Sequence, residues 1–352
     1  MAFLEIRNVA LRGISACVPK HNICNADVYE KKWGEYDNFV ATTGIANHRK
    51  ASEEICTSDL CLEAAERLIS ELSWDKSEID ALVFVTQTPD YYSVPATSCL
   101  LQNRLGLSER CYTLDISLGC SGWVYGLSVI SALVQTGTIK KALLLAGDTL
   151  SKMVSEDDKS TFPLFGDAGT ATALEFDVNA KPIRFAMFTD GSGYEAIMIR
   201  QGGYRTPLTP DSFAMRDEGE GKVRSGLNLV MDGESVFVFG ISKAPKSIKA
   251  LSEHYGIDLS SIDLFTFHQA NLFMNEKIRK KLKLEEEKVP YSLHDYGNTS
   301  SASIPITLVS ERRQKLQEEH VKHIACGFGV GLSWGVVNFE TDHLAVPEII
   351  EI

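Results

Sequence analysis

The chain has 352 residues, 44% of them hydrophobic, enough to bury the core of an enzyme-sized fold in two domains or one large duplicated one. Its 35 basic against 47 acidic residues leave a net charge of −12, which argues against a nucleic-acid binder, because neutralising phosphates takes clustered Lys and Arg. No apolar run approaches the about 20 residues of a membrane-spanning helix. The start, Met1-Ala-Phe-Leu-Glu-Ile-Arg-Asn8, lacks the basic and apolar segments of a secretory signal, so a cytoplasmic protein without membrane insertion is expected. Eight cysteines show neither a CxxC pair nor zinc spacing with His, which predicts reduced thiols and no metal site.

In chain order, apolar periodicity predicts a helix over 57–72, a strand over 81–86, a helix over 95–105 and a strand over 111–117. A helix over 122–136 follows, stopping at Gly137, then strands over 141–147 and 170–176. The second half reads as a helix over 234–255, a strand over 263–267, helices over 271–283 and 302–319, and a strand over 323–327. Such alternation predicts an α/β architecture with helix-covered sheets.

Cys120 lies between the strand 111–117 and the helix 122–136. There the helix macrodipole and unpaired N–H groups are expected to lower its pKa toward a reactive thiolate. Alone, it reads better as a structural cysteine. An internal echo changes that weighing: Ser77-Glu-Ile-Asp80 enters one strand as Ser260-Ser-Ile-Asp263 enters another. About thirty residues on, Tyr112-Thr-Leu-Asp115 leads to Cys120 and a helix, and Tyr291-Ser-Leu-His294 leads to Asn298 and a helix. Under a pseudo-twofold arrangement the Asn298 turn faces the Cys120 turn. His268, ending the strand 263–267, lies nearby, where open α/β sheets place ligands.

Taken in order, several motifs resemble the β-ketoacyl-acyl-carrier-protein synthase III family of the thiolase-like superfamily. They are Thr43-Gly-Ile45, the segment Leu114–Gly126 around Cys120, Phe165-Gly-Asp-Ala-Gly-Thr-Ala171, His268-Gln-Ala-Asn271, Tyr296-Gly-Asn-Thr-Ser300 with Ile304-Pro305, and Gly327-Phe-Gly-Val-Gly-Leu-Ser-Trp-Gly335. The resemblance implies a duplicated five-layer α/β/α/β/α fold, with halves 1–176 and 177–352, normally in a homodimer. It implies a Cys120, His268, Asn298 triad, and an oxyanion hole from the backbone N–H groups of Cys120 and Val330. The implied reaction is decarboxylative Claisen condensation of an acyl thioester with malonyl-acyl-carrier protein, through acyl-Cys120, in fatty-acid or related specialised biosynthesis. Coenzyme A or carrier-protein thioesters are then substrates, and no bound cofactor is required. The Phe165–Ala171 glycines read as core packing, with Asp167 a hydrogen-bonding residue, and Trp334 and Gly335 as packing beneath the site.

The substrate entrance departs from the family pattern. Where members usually carry a Trp and an Arg that clamp the nucleotide of coenzyme A, this chain has Asn38 and Thr42; a second nucleotide Arg aligns with Lys159, and the Asn of the pantetheine channel with Glu234. The carrier-docking Arg aligns with Phe273, although Lys277, Arg279, Lys280 and Lys281 could supply a basic face. Val94, before Pro95, stands where many members have Phe at the acyl-pocket end. Two alternatives stay open: an ester- or amide-forming acyltransferase, and a non-catalytic subunit of a heteromeric synthase.

Overall fold

The computed structural model describes residues 2–352. Its main elements are β1 (Ala2–Ile6), β2 (Val9–Val18), α1 (Thr57–Glu71), β3 (Ile79–Val85), α2 (Thr97–Arg104), β4 (Tyr112–Ile116), α3 (Gly122–Val134), β5 (Lys141–Asp148) and β6 (Ala168–Phe176). They continue as β7 (Ile183–Thr189), α4 (Gly233–Tyr255), β8 (Leu264–Phe267), α5 (Leu272–Leu282), α6 (Ser303–Glu318), β9 (His320–Gly329), β10 (Ser333–Asp342) and β11 (Ile350–Glu351). One sheet has the order β11-β2-β6-β5-β3-β4 and the other β1-β7-β10-β9-β8.

The same motif recurs in both sheets. An antiparallel β2-β6-β5 run with β3 parallel to β5 is matched by β7-β10-β9 with β8 parallel to β9. Each Ile-Asp entry performs the same local task. Asp80 accepts a hydrogen bond from Lys140 N at 2.7 Å and Asp263 one from Lys322 N at 2.8 Å, tying the first residues of neighbouring parallel strands. The terminal strands cross over: β1 pairs with β7, and β11 with β2. Sequence reading missed β1, β2, β7, β10 and β11: β1 and β11 are short, and the largely buried β2, β7 and β10 lack the alternation of a half-buried strand.

Helices α3 and α6 lie between the sheets, α1 and α2 cover the outside of the first, and α4 and α5 the outside of the second, giving the five layers of the thiolase-like fold. A central helix must be apolar all round, and α3 buries Trp123, Val124, Leu127, Ile130 and Val134. Each large one contributes about 1.5–3 kcal/mol of burial. Gly122 and Gly126 let it approach the first sheet closely: a Cβ on either would stand 2.6 Å from a Val85 methyl. That approach fixes where α3 begins, and so where Cys120 stands. Among the described residues no helix is long and apolar enough to cross a membrane.

Candidate active site

Three connections converge at one end of the central layer. Ser121 caps α3, so Cys120 stands just before the helix, with Gly329 pressed against it. A Cβ on Gly329 would lie 2.6 Å from Cys120 Cβ and 2.9 Å from Sγ. β8 ends at Phe267, and His268 N still donates to Cys326 O of β9 at 2.9 Å, so the imidazole leaves the sheet edge beside the same turn. The Asn298 turn is stitched to the first half: Asn298 N donates to Leu164 O at 2.8 Å, and Gly166 N to Asn298 O at 3.1 Å. Cys120, His268, Asn298, Gly329 and Val330 all line one cavity of about 720 Å³, its mouth included.

The side chains are oriented by neighbours. Ser300 N donates to Asn298 Oδ1 at 3.0 Å, which leaves the Nδ2 hydrogens of Asn298 free to face the cavity. His268 Nδ1 lies 2.8 Å from Ser303 Oγ, and burial pushes its pKa down to about 3, against a backbone hydrogen bond with Ser300. The ring is therefore neutral at physiological pH. Cys120 is half-buried but faces the cavity rather than bulk water. Burial accordingly pushes its thiol up to about 12, with hydrogen bonds from Ser300 and the backbone of Val330 and Cys120 acting the other way, and Asp148 adding to the rise. Burial thus opposes the pull that the helix N-terminus and the local donors exert toward the thiolate.

Several expected substrate contacts lie elsewhere. Val94 is 80% exposed, on a surface loop with Tyr91 and Tyr92, and does not line the cavity of its own chain. Asn38 and Thr42 are exposed on the helix Tyr36–Thr43. Lys159 is drawn to Glu35 at 3.5 Å and sits over the Tyr29 ring, so its charge is already matched. Glu234 is exposed in the first turn of α4, beside Gly233 and Val236, which do line the cavity. Phe273 stacks on Phe237, with Lys277 Nζ 5.0 Å from its ring centre, while Arg279 and Lys280 pair with Glu276, so the basic face reduces largely to Lys277 and Lys281. Asp167 is buried and accepts hydrogen bonds from Ala51 N and from Ser151, with its pKa raised to about 6 by burial. It ties the 51 and 151 loops together and is not itself among the residues lining the cavity.

The cavity also contains what sequence reading missed. Ile197 and Leu229–Met231 belong to a small antiparallel pair, Ile197–Ile199 with Leu229–Met231, that lays an apolar wall over the site. Arg224, 9% exposed, anchors the adjoining segment to buried Asp158 at 3.1 Å and to Glu218. Gln87, Asn271 and Ser300 add polar groups to the lining, and Ser303 stands behind His268. Ser300 and Ser303 sat in plain view after Asn298, but only their contacts distinguish them from other helix-entry serines.

Residues 114–191 match the family described as 3-Oxoacyl-[acyl-carrier-protein (ACP)] synthase III, and residues 252–341 match its C-terminal region. Over 337 residues the chain is 33% identical to a beta-ketoacyl-[acyl-carrier-protein] synthase III of Symbiobacterium thermophilum, covering 95% of this chain and 98% of that one. The chain belongs to the 3-oxoacyl-[acyl-carrier-protein] synthase III family. Its structure superposes on a 3-oxoacyl-(acyl-carrier protein) synthase from Burkholderia xenovorans LB400 with a TM-score of 0.92 at 37% identity, covering 100% and 99% of the two chains. A beta-ketoacyl synthase III from Thermus thermophilus gives 0.81 at 30% identity, covering 95% and 99%. In this chain a thiol, a neutral imidazole and an amide share one cavity.

Proposed function

We propose that the protein condenses an acyl thioester with malonyl-acyl-carrier protein, releasing carbon dioxide and giving a β-ketoacyl thioester. One observation carries this assignment: Cys120, His268 and Asn298 converge on a single cavity with Asn298 turned to donate from Nδ2. In the first half-reaction Cys120 Sγ attacks the donor carbonyl, and the donor thiolate departs, a balanced exchange of one thioester for another. The developing oxyanion is met by the N–H groups of Cys120 and Val330, which in the resting site are turned to the sulfur. In the second, Ser303 Oγ donates to His268 Nδ1 so that Nε2 carries the ring hydrogen. Nε2–H and Asn298 Nδ2–H then stabilise the enolate left as malonyl thioester loses carbon dioxide. Its carbon attacks acyl-Cys120 and frees the sulfur.

Mere ester or amide transfer has no use for a paired imidazole and amide that stabilise an enolate, which favours condensation. Lys159 engaged by Glu35, with exposed Glu234 at the mouth, offers little to a nucleotide phosphate and favours a carrier-protein thioester as acyl donor. We further infer a cytoplasmic homodimer. β4 is an unpaired sheet edge, and Tyr91, Tyr92, Val94 and Tyr112 are exposed around it, an apolar border suited to a second copy.

Intact-protein mass spectrometry after exposure to acyl-coenzyme A and acyl-carrier-protein panels should show one acyl group on Cys120. Labelled malonyl-carrier protein should then release carbon dioxide. Absence of the adduct, or loading without carbon dioxide release from any carrier protein, would overturn the assignment. Light scattering during size exclusion tests the dimer.

A further inference from the structure

One polar side chain of the cavity wall has no part in the steps above. Gln87 lies just past β3, where its backbone N–H is fixed on Asp148 Oδ1 at 2.7 Å. The threonines on either side spend their hydroxyls on the framework. Thr86 Oγ1 donates to Asp148 at 3.1 Å and accepts from Thr88 N at 2.9 Å; Thr88 Oγ1 meets Thr57 Oγ1 at 2.7 Å and accepts from Thr149 N at 2.9 Å. The Gln87 carboxamide, with two donor hydrogens and an acceptor oxygen, makes no hydrogen bond among the described residues, yet it lines the cavity together with Cys120. It is held against the turn of the nucleophile: Gln87 Oε1 and Cδ fill the space that a Cβ on Gly119 would need, and Val330 Cγ1 closes on the same spot at 3.0 Å. Much of the remaining wall is apolar, with Leu164, Phe165, Ile197 and Met231 in it. An entering acyl chain strips water from such an amide, and a plain hydrocarbon offers it no hydrogen bond in return.

We propose that Gln87 selects acyl groups carrying an oxygen on their third carbon, 3-hydroxyacyl or 3-oxoacyl, over unsubstituted chains. Its carboxamide serves either form: Oε1 accepts from a hydroxyl, and Nε2 donates to a hydroxyl or carbonyl oxygen. Contact with Gly119, one residue from the nucleophile, sets the reach, so the first carbons of an acyl group on Cys120 pass the amide while later ones run along the apolar wall. A wall that hydrogen-bonds its substrate discriminates more steeply than one that measures size, because the analogue lacking the oxygen leaves a desolvated amide unpaired. Gln87 acts here on specificity and moves no proton. The inference rests on the acyl-Cys120 reading and names the acyl class that the site takes.

The test offers the full chain butyryl and octanoyl thioesters, each in equal mixture with its 3-hydroxy (either enantiomer) or 3-oxo counterpart, on coenzyme A and on carrier protein. Intact-protein mass spectrometry reads which group arrives on Cys120. Wild type should favour at least one oxygenated group over the plain chain of the same length by about fivefold or more, the worth of one hydrogen bond. Gln87→Leu and Gln87→Met keep an unbroken wall without the amide and should abolish that preference. A competition ratio does not depend on how much enzyme is folded, so a general loss of stability leaves it unmoved, and a preserved ratio in either variant overturns the role of Gln87. A wild-type ratio that stays below fivefold for every pair, or that favours the plain chains, overturns the selection while leaving the acyl-enzyme reading intact. Cys120 that iodoacetamide labels but no donor loads would overturn the acyl-enzyme reading, and the selection with it.

Discussion

Gly329→Ala places a methyl group against the nucleophile itself. The added Cβ would stand 2.6 Å from Cys120 Cβ and 2.9 Å from Sγ, where ordinary contact begins at 3.4 Å, so the two residues must separate by roughly 0.5–0.8 Å. Cys120 has little room to yield, since Ser121 Oγ is tied to Ser333 Oγ at 2.7 Å and α3 is wedged against Val85. Overpacking of this kind costs about 1–3 kcal/mol, a fall of a few degrees in Tm. The kinetic effect is larger: a displacement approaching 1 Å in a near-attack geometry costs about 100-fold, and the Val330 N–H moves with its neighbour. Acyl loading of Cys120, timed by intact-protein mass spectrometry, should therefore slow by roughly 30–100-fold while the protein remains folded. Loading within threefold of wild type would refute the close packing of Gly329 on the nucleophile as the device that sets its position.

His268→Ala and Asn298→Ala should leave Cys120 loading nearly intact while cutting malonyl decarboxylation by about 10²–10³; equal losses in both half-reactions would contradict the division of labour. Arg224→Ala strands Asp158, which keeps only Ser160 and Thr161 as donors, and should destabilise the fold by about 3 kcal/mol, read as a drop in Tm. Burial lowers His268 and His323 to about 3 and His48 to about 4 from an ordinary 6.5, so the unfolded chain takes up these protons first as pH falls. Their stabilisation is complete above about 6.5 and is lost progressively toward 3. Asp167, raised to about 6, opposes this by binding its proton first in the folded state between about 6 and 3.8. With three histidines against it, Tm should fall from pH 6.5 to 4.5, and His323→Gln should flatten the fall by up to about 1.4 kcal/mol per pH unit. A Tm that holds or rises over that interval would count against buried neutral histidines.

The long amphipathic or apolar helices and the strands beside them were legible because their periodicity is local: the predicted helix 57–72 forms over Thr57–Glu71, and the predicted 234–255 over Gly233–Tyr255. The Ile-Asp echo was legible for a related reason, since Asp80 and Asp263 do the same job at the same point of a repeated βαβ-type entry. Other features were beyond reach of a linear reading. Strand β2 pairs with β6 across more than 150 positions, and β1 joins the far sheet, so their partners leave no nearby trace. Val94 followed an alignment position, but exposure is a property of the assembled surface.

By itself the sequence determined the fold class, the repeat and the residue types of the centre: a cysteine before a helix, a histidine ending a strand, an asparagine in a turn. Tertiary structure alone decided how they behave. A helix N-terminus pulls a thiol toward its anion, yet enclosure between two sheets pushes Cys120 the other way and keeps His268 neutral, because desolvation depends on every wall of the cavity at once. The same enclosure sets Ser300 Oγ 3.9 Å from Cys120 Sγ, a juxtaposition of residues 180 positions apart that no spacing in the chain announces.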